Sequence, residues 1–198
     1  MLKKIGLIGF ADGIGSLIAI LFWFYMAAVL SPEEYGNIFY YLGIVAIISY
    51  FTIIGGQNAI TVYTAKNINI QRTFYLLSLL LSLIAVIVIV SIFQRIDMAL
   101  ILLGYIISNL SISYLLGKKL FQKYFIQTLL QKSLLITLGI GFFYIFGTDG
   151  ILYAIGISYL GYTKILYDSF KTSKKDFKFF REHFGFIIND YLMGIINV

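Results

Sequence analysis

Three ionisable side chains, Asp12, Lys132 and Asp190, lie inside long apolar stretches of this 198-residue sequence. An ionisable group deep in a membrane is costly, so each one is a candidate for function. Asp12 follows Lys4 by eight residues, which places it about 12 Å along a helix that rises about 1.5 Å per residue. Asp190 follows Arg181 by nine residues. Such side chains can bind a coupling ion or contact a charged substrate.

Asp12 and Lys132 each also have a structural interpretation. The segment ADGIGS supplies small residues around Asp12 that allow close helix approach or entry of water. The carboxylate therefore faces a cavity, makes an interhelical hydrogen bond, or lies at the membrane edge if the helix begins later. Lys132 has Gln127, Thr128 and Gln131 on neighbouring turns. It either extends toward the cytoplasm or forms a cationic cavity wall, and the sequence leaves these alternatives open.

The segment LSPEEYGNIF contains the only proline of the chain and has the pattern of a helix start. Ser31 can act as the N-cap, Pro32 suits the first helical turn, and Glu34 has capping-box spacing from Ser31. Glu33 and Glu34 also lie at the positive end of the helix dipole. We predict a tight turn here, with direct substrate contact as the alternative. The candidate turn motif consists of Ser31, Pro32, Glu33, Glu34, Tyr35 and Gly36.

The elements that must position these residues are long apolar helices. Hydrophobic residues make up 60% of the chain, charged residues 12%, and the mean hydropathy is +0.92, which indicates an integral membrane protein. One helical crossing needs about 20 apolar residues. No alternation of polarity supports transmembrane strands, so the fold is predicted to be all-α. The six predicted transmembrane helices lie at about 5–30, 35–63, 73–93, 98–116, 124–146 and 151–167.

A seventh apolar stretch begins near Phe184 and ends at Val198, after about half a membrane thickness. We therefore expect residues 1–183 to form a six-helix transmembrane lobe. Residues 184–198 are expected to be the start of a seventh helix in a truncated chain. The GGQN segment at residues 55–58 is predicted to end the second span, with a flexible hinge as the alternative.

Lysine and arginine lie almost entirely on alternate connections of this arrangement: 14 of the 15 do so, and only Arg95 lies on the others. Short cytoplasmic loops carry the excess of positive charge, so we predict a multi-pass plasma-membrane protein with a cytoplasmic N-terminus. This topology explains the net charge of +6. A nucleic-acid partner, which needs basic residues on one face of a folded domain, is therefore not expected. Membrane lipids are expected partners, because the basic stretch 171–181 can touch anionic headgroups.

Enzyme chemistry has little support in the sequence. The acidic residues outside the predicted spans are scattered, His183 is the only histidine, and cysteine is absent. Neither paired catalytic acids nor a metal site is predicted from these residues. No glycine-rich phosphate loop follows a strand. We therefore expect a chain that is not an enzyme and uses no cofactor; a secondary carrier fits better.

Residues 27–66, AAVLSPEEYGNIFYYLGIVAIISYFTIIGGQNAITVYTAK, resemble the N-terminal region of polysaccharide and oligosaccharide-lipid flippases of the MOP (MATE-like) exporter superfamily. Members often carry a Leu-(Gly/Ser)-Pro-Glu-Glu-(Tyr/Phe)-Gly turn between helices 1 and 2. The resemblance implies two six-helix lobes around a cavity that opens alternately to each side, of which this chain supplies the first lobe and the start of helix 7. It also makes helices 1 and 7 symmetry partners, with Asp12 and Asp190 on opposite sides of the cavity entrance.

The function that this resemblance implies is transport for polysaccharide biosynthesis. Such a protein flips lipid-linked oligosaccharide from the inner to the outer leaflet and is coupled to an ion, H⁺ or Na⁺. Two other functions stay open at this point. One is a multidrug or cation antiporter of the same superfamily, and the other is a non-catalytic subunit of a membrane polysaccharide-assembly enzyme.

Overall fold

The computed structural model describes residues 2–53 and 56–196, with side chains at 6–53, 57–189, 191 and 192. The described part is 90% helix and contains no strands, which confirms the predicted all-α class. A 3-10 helix at Leu160–Tyr162 joins α7 to α8. The α-helices of the described part are α1 (Leu2–Val29), α2 (Pro32–Thr52), α3 (Gly56–Ala65), α4 (Gln71–Phe93), α5 (Ile96–Gly117), α6 (Phe121–Phe146), α7 (Thr148–Tyr159), α8 (Thr163–Thr172), α9 (Phe177–Glu182) and α10 (Phe184–Ile196).

Five helices in the described ranges are long and apolar enough to cross a membrane: α1 from Gly6 onward, α2, α4, α5 and α6. The shortest of them, α2, has 21 residues, and about 20 residues are needed to cross the hydrocarbon core. The predicted first, third, fourth and fifth spans each correspond to one of these helices. The chain therefore has the helices of a multi-pass membrane protein.

The predicted second span, residues 35–63, is two helices rather than one. α2 ends at Thr52, and α3 begins at Gly56, inside the GGQN segment. Just before the break, the hydroxyl groups of Ser49 and Thr52 donate to the carbonyl oxygens three residues earlier, at 2.6 and 2.8 Å. Such bonds compete with the helical ladder. A single helix over 35–63 is therefore wrong, and whether the GGQN segment ends the span or forms a hinge stays a prediction.

The predicted sixth span, residues 151–167, is also interrupted, because α7 ends at Tyr159 and a 3-10 turn precedes α8. Hydroxyl groups on both sides of the interruption bond backward: Ser158 Oγ to Ile155 O and Thr163 Oγ1 to Leu160 O, each at 2.7 Å. Residues 148–172 are all described, and they form no continuous helix of membrane length. The sixth crossing stays a prediction. α10 begins at Phe184, where the seventh helix is predicted to start.

The central helix of the bundle is α5. In its most apolar stretch 61% of the residues are buried, against 17–22% in the other four candidate spans. It packs on α2, α3, α4, α7 and α8, whereas α1 packs mainly on α6. α5 and α7 lie close together at two glycines: a Cβ atom on Gly104 would lie 2.8 Å from the carbonyl oxygen of Gly156. These small residues allow the two backbones to touch.

One end of the bundle, here called the Arg95 end, holds the turns that precede α2, α5 and α7. Arg95 Nη2 donates to Asp97 Oδ2 at 2.6 Å and also to Asp149 of α7, and its guanidinium lies 4.5 Å from the ring centre of Tyr41 on α2. The hydrogen bonds with Asp97, and then the one with Asp149, raise the pKa of Arg95 above its usual range, although partial burial opposes them. One arginine therefore holds α2, α5 and α7 together.

α2 begins at the Arg95 end with the predicted capping box. Ser31 Oγ accepts from the Glu34 backbone N–H at 3.3 Å, and Glu34 Oε2 accepts from the Ser31 backbone N–H at 2.9 Å. Pro32 occupies the first helical position. Tyr35 packs edge-on against Trp23 of α1, with ring centres 6.0 Å apart. The predicted capping box and helix start are confirmed, and direct substrate contact by the turn motif stays a prediction.

Candidate functional site

A line of polar side chains runs along the face of α6 that packs on α1. Tyr124, Thr128 and Lys132 are spaced four residues apart, so they share one face of the helix. The Tyr124 hydroxyl donates to Asp12 Oδ1 at 2.5 Å. One turn farther along α1, a Cβ on Gly15 would lie 3.5 Å from both Lys132 Cγ and Thr128 Cγ2. We call Asp12, Tyr124, Thr128 and Lys132 the polar line.

Asp12 begins the polar line near the end of the bundle where the chain starts. The interhelical hydrogen bond, one of its predicted alternatives, is present in the structure. Asp12 is exposed, whereas Tyr124 is buried, with 7% of its surface accessible. A carboxylate has about four acceptor positions, and Tyr124 occupies one of them. The remaining positions are available to a cation or a proton.

Lys132 ends the polar line in the wall of a cavity of about 400 Å³ between α1, α2, α6 and α7. Trp23 of α1, Phe39 of α2 and Tyr159 of α7 supply aromatic walls, and Gln131 supplies an amide. Lys132 is half-buried, and it forms no ion pair with any acidic side chain of the described residues. An unpaired ammonium in a mostly apolar cavity is suited to binding an anionic group.

The two glutamines beside Lys132 differ in how they are held. Gln131 Nε2 donates to Ser158 Oγ of α7 at 3.0 Å. Gln127 Nε2 is buried and has no hydrogen-bond partner among the described residues; a Cβ on Gly161 would lie 2.9 Å from it. Gln131 therefore fixes α6 to α7 beside the cavity, and Gln127 packs against the interruption between α7 and α8.

Two further candidate positions lie away from this cavity. Glu34 lines a smaller pocket of about 110 Å³ at the Arg95 end, together with Tyr41, Arg95 and Asp149. The Asp190 side chain lies outside the described residues, so its predicted pairing with Asp12 stays a prediction. The structure thus brings Asp12 and Lys132 onto one line and separates them from the turn motif.

Comparisons with known proteins found no relative of this chain. No family model, no curated protein and no solved structure matches the chain. The function must therefore be argued from the polar line and the cavity.

Sequence reasoning missed the partners that complete the site. Tyr124 had no predicted role, although Tyr124, Thr128 and Lys132 have the four-residue spacing of a shared helix face. The aromatic cavity walls come from three other helices, α1, α2 and α7. No local signal identifies those residues, because most of the helices are rich in aromatic side chains.

Proposed function

We propose that this chain forms the first lobe of a flippase of the MOP exporter superfamily, which moves lipid-linked oligosaccharide from the cytoplasmic to the outer leaflet by alternating access. In this proposal α7 and α8 together make the sixth crossing and α10 begins the seventh. The N-terminus is cytoplasmic and the protein lies in the plasma membrane. The observation that supports the proposal best is the cavity with Lys132 in its wall.

The chemistry of the cavity fits the head of a lipid-linked sugar. Such a lipid carries its sugar on a phosphate or pyrophosphate, which a lysine ammonium can bind through charge-assisted hydrogen bonds. Trp23, Phe39 and Tyr159 offer flat apolar surfaces for a sugar ring or a prenyl chain. The cavity volume of about 400 Å³ suits a small ligand. It accommodates the phosphate region and the first sugar rather than a whole oligosaccharide.

We expect Lys132→Met to weaken binding of a polyprenyl pyrophosphate by about 10- to 100-fold, because a hydrogen bond to a charged group contributes about 1.5–3 kcal/mol. The measurement is equilibrium binding to the full chain in nanodiscs of phosphatidylcholine. Lys132→Arg, which keeps the charge, should retain most of the affinity. Lys164→Met is the matched control because Lys164 is exposed on α8. Equal binding by the Lys132→Met and Lys164→Met variants would contradict the proposal that the cavity binds the phosphate region of the lipid.

A cation antiporter of the same superfamily is the second candidate, and Asp12 is the observation that favours it. Its carboxylate has one side-chain hydrogen bond, from Tyr124, and is otherwise open. If the chain carries amphipathic cations, tetraphenylphosphonium should bind and Asp12→Asn should abolish that binding. If it carries lipid-linked sugars, polyprenyl pyrophosphate should bind and Lys132→Met should weaken it. The two probes therefore separate the candidates.

A further inference from the structure

Three connections of the chain meet at Asn69, in the turn between α3 and α4. Lys118, which follows α5, donates from Nζ to Asn69 Oδ1 at 3.1 Å. Lys174, which follows α8, donates from its backbone N–H to Asn69 O at 2.6 Å. The backbone N–H of Asp176 donates to Thr73 Oγ1 at 2.8 Å. These bonds hold two lysine-bearing segments against the start of α4, and we call this end of the bundle the lysine end.

Positive charge at the lysine end is hardly neutralised by the acids beside it. Asp176 caps α9 by accepting from the Phe179 backbone N–H at 2.9 Å. Glu182 lies 4.0 Å from Lys178, and that is the one ion pair at this end within the described residues. Asp168 is exposed on α8. The exposed basic side chains around this surface are Lys66, Lys119, Lys171, Lys174, Lys175, Lys178 and Arg181.

Exposed aromatic side chains lie next to these charges. Phe177 is 46% exposed and Tyr167 is 64% exposed, and the Lys175 ammonium lies 5.0 Å from the ring centre of Phe177. α8 buries Leu166 and Ser169 against the bundle, which leaves Lys164, Tyr167 and Lys171 exposed. Apolar rings beside basic side chains are typical of segments that lie in the headgroup layer of a membrane.

We propose that the lysine end is a binding surface for anionic phospholipid headgroups, centred on Lys118 and Lys174. α4 begins and α5 ends at this surface, and both are long enough to cross a membrane, so the surface lies at the level of the lipid phosphates. A basic surface in that position attracts anionic lipid, and each basic residue contributes appreciably to the attraction. Nucleic acids and acidic proteins would meet it only from the aqueous side. This inference depends on the membrane location and not on the transport proposal.

The test compares two double variants of the full-length chain in neutral detergent. Lys118→Gln with Lys174→Gln removes the charge that bonds to the Asn69 side chain and the charge of the exposed lysine whose backbone bonds to Asn69 O. The amide introduced at position 118 can still donate to the Asn69 side chain. Lys123→Gln with Lys164→Gln is the matched control: both of its side chains are exposed and neither bonds to Asn69. Each double variant lowers the net charge by two. Anisotropy of fluorescent phosphatidylglycerol, displaced by unlabelled lipid, gives the affinity.

We expect the Lys118/Lys174 variant to bind phosphatidylglycerol about 10- to 30-fold more weakly, because each of these two charges lies at the proposed centre of the site and contributes about 1 kcal/mol to binding a headgroup there. The control should lose less than about threefold, phosphatidylcholine should compete poorly with every variant, and added salt should narrow the difference. Equal losses in the two double variants would show a net-charge effect without a site. Displacement of the lipid by inorganic phosphate would show a soluble-anion site. Either result would overturn the proposal, even if polyprenyl pyrophosphate still depends on Lys132.

Discussion

Replacing Arg95 with methionine is expected to destabilise the folded chain by about 3–5 kcal/mol, since a buried ion pair that loses one partner leaves an uncompensated charge. Asp97 is 2% exposed, and Arg95 supplies its three side-chain hydrogen bonds. After the substitution only the Met98 backbone N–H, at 2.9 Å, would remain as a donor. The free energy of unfolding can be measured by denaturant titration in mixed micelles.

Two control variants separate the buried pair from the exposed one. Asp149→Asn should cost less than about 1 kcal/mol, because the Asp149 side chain is 61% exposed. The double variant Arg95→Met with Asp97→Leu should recover much of the lost stability, because it removes both buried charges. Equal destabilisation by Arg95→Met and Asp149→Asn would contradict this account of the Arg95 end.

Gly156→Leu is expected to cost about 3 kcal/mol or more, because overpacking a tight contact costs about 1–3 kcal/mol and the added side chain meets backbone atoms. A Cβ at this position would lie 2.7 Å from Leu100 Cγ and 3.1 Å from the Ile101 backbone nitrogen. α7 would have to move away from α5, the central helix. The loss of stability can be measured from size-exclusion profiles and the unfolding temperature in detergent.

Gly141→Leu is the matched control for this substitution. Gly141 also lies within a helix, α6, and apart from its neighbours and the backbone of its own helix no described heavy atom lies within 4 Å of a Cβ built there. Both substitutions raise helix propensity by about the same amount, so only packing distinguishes them. A Gly141→Leu variant as unstable as Gly156→Leu would show that the α5–α7 contact is not the cause.

Features with a local signal could be predicted from the sequence. The capping box at Ser31 and Glu34 depends on residues three positions apart, and the apolar runs predict four of the spans within a few residues. The interruption after Tyr159 was not predicted, because hydropathy does not distinguish a broken helix from a continuous one. It depends on hydroxyl groups that bond backward, as Thr163 does. The all-α class is fixed by composition, whereas breaks are fixed by single side chains.

The candidate site could be predicted only in part, because its contacts join distant segments. Asp12 and Lys132 are prominent for their charge, but the Tyr124 hydrogen bond spans 112 residues. Arg95 and Asp97 are neighbours in sequence, yet their contact with Asp149 depends on how α5 packs on α7. Charge identifies candidates in an apolar chain; the packing of α1, α5, α6 and α7 decides which of them meet.

The polar line connects the two proposals in one geometry. Tyr124 and Lys132 are eight residues apart, which is about 12 Å along α6. The polar line runs from near the start of α1 to the cavity. In the proposed topology a phosphorylated lipid head approaches from the cytoplasmic leaflet, near basic side chains, and Lys132 is the innermost cation that it meets. This order of charges predicts that the lipid head binds from the cytoplasmic side before it is moved to the outer leaflet. It therefore requires the lysine end to face the cytoplasm.

Labelling of single cysteines tests that requirement most directly. The chain contains no cysteine, so a single cysteine that replaces Glu33 or Lys175 is the one thiol that the reagent can label. Both positions are exposed. We expect a membrane-impermeant maleimide to label Glu33→Cys in intact cells and to label Lys175→Cys only after permeabilisation, because in the proposed topology α7 and α8 together make the sixth crossing. Labelling of Lys175→Cys in intact cells would place the lysine end outside and contradict the account.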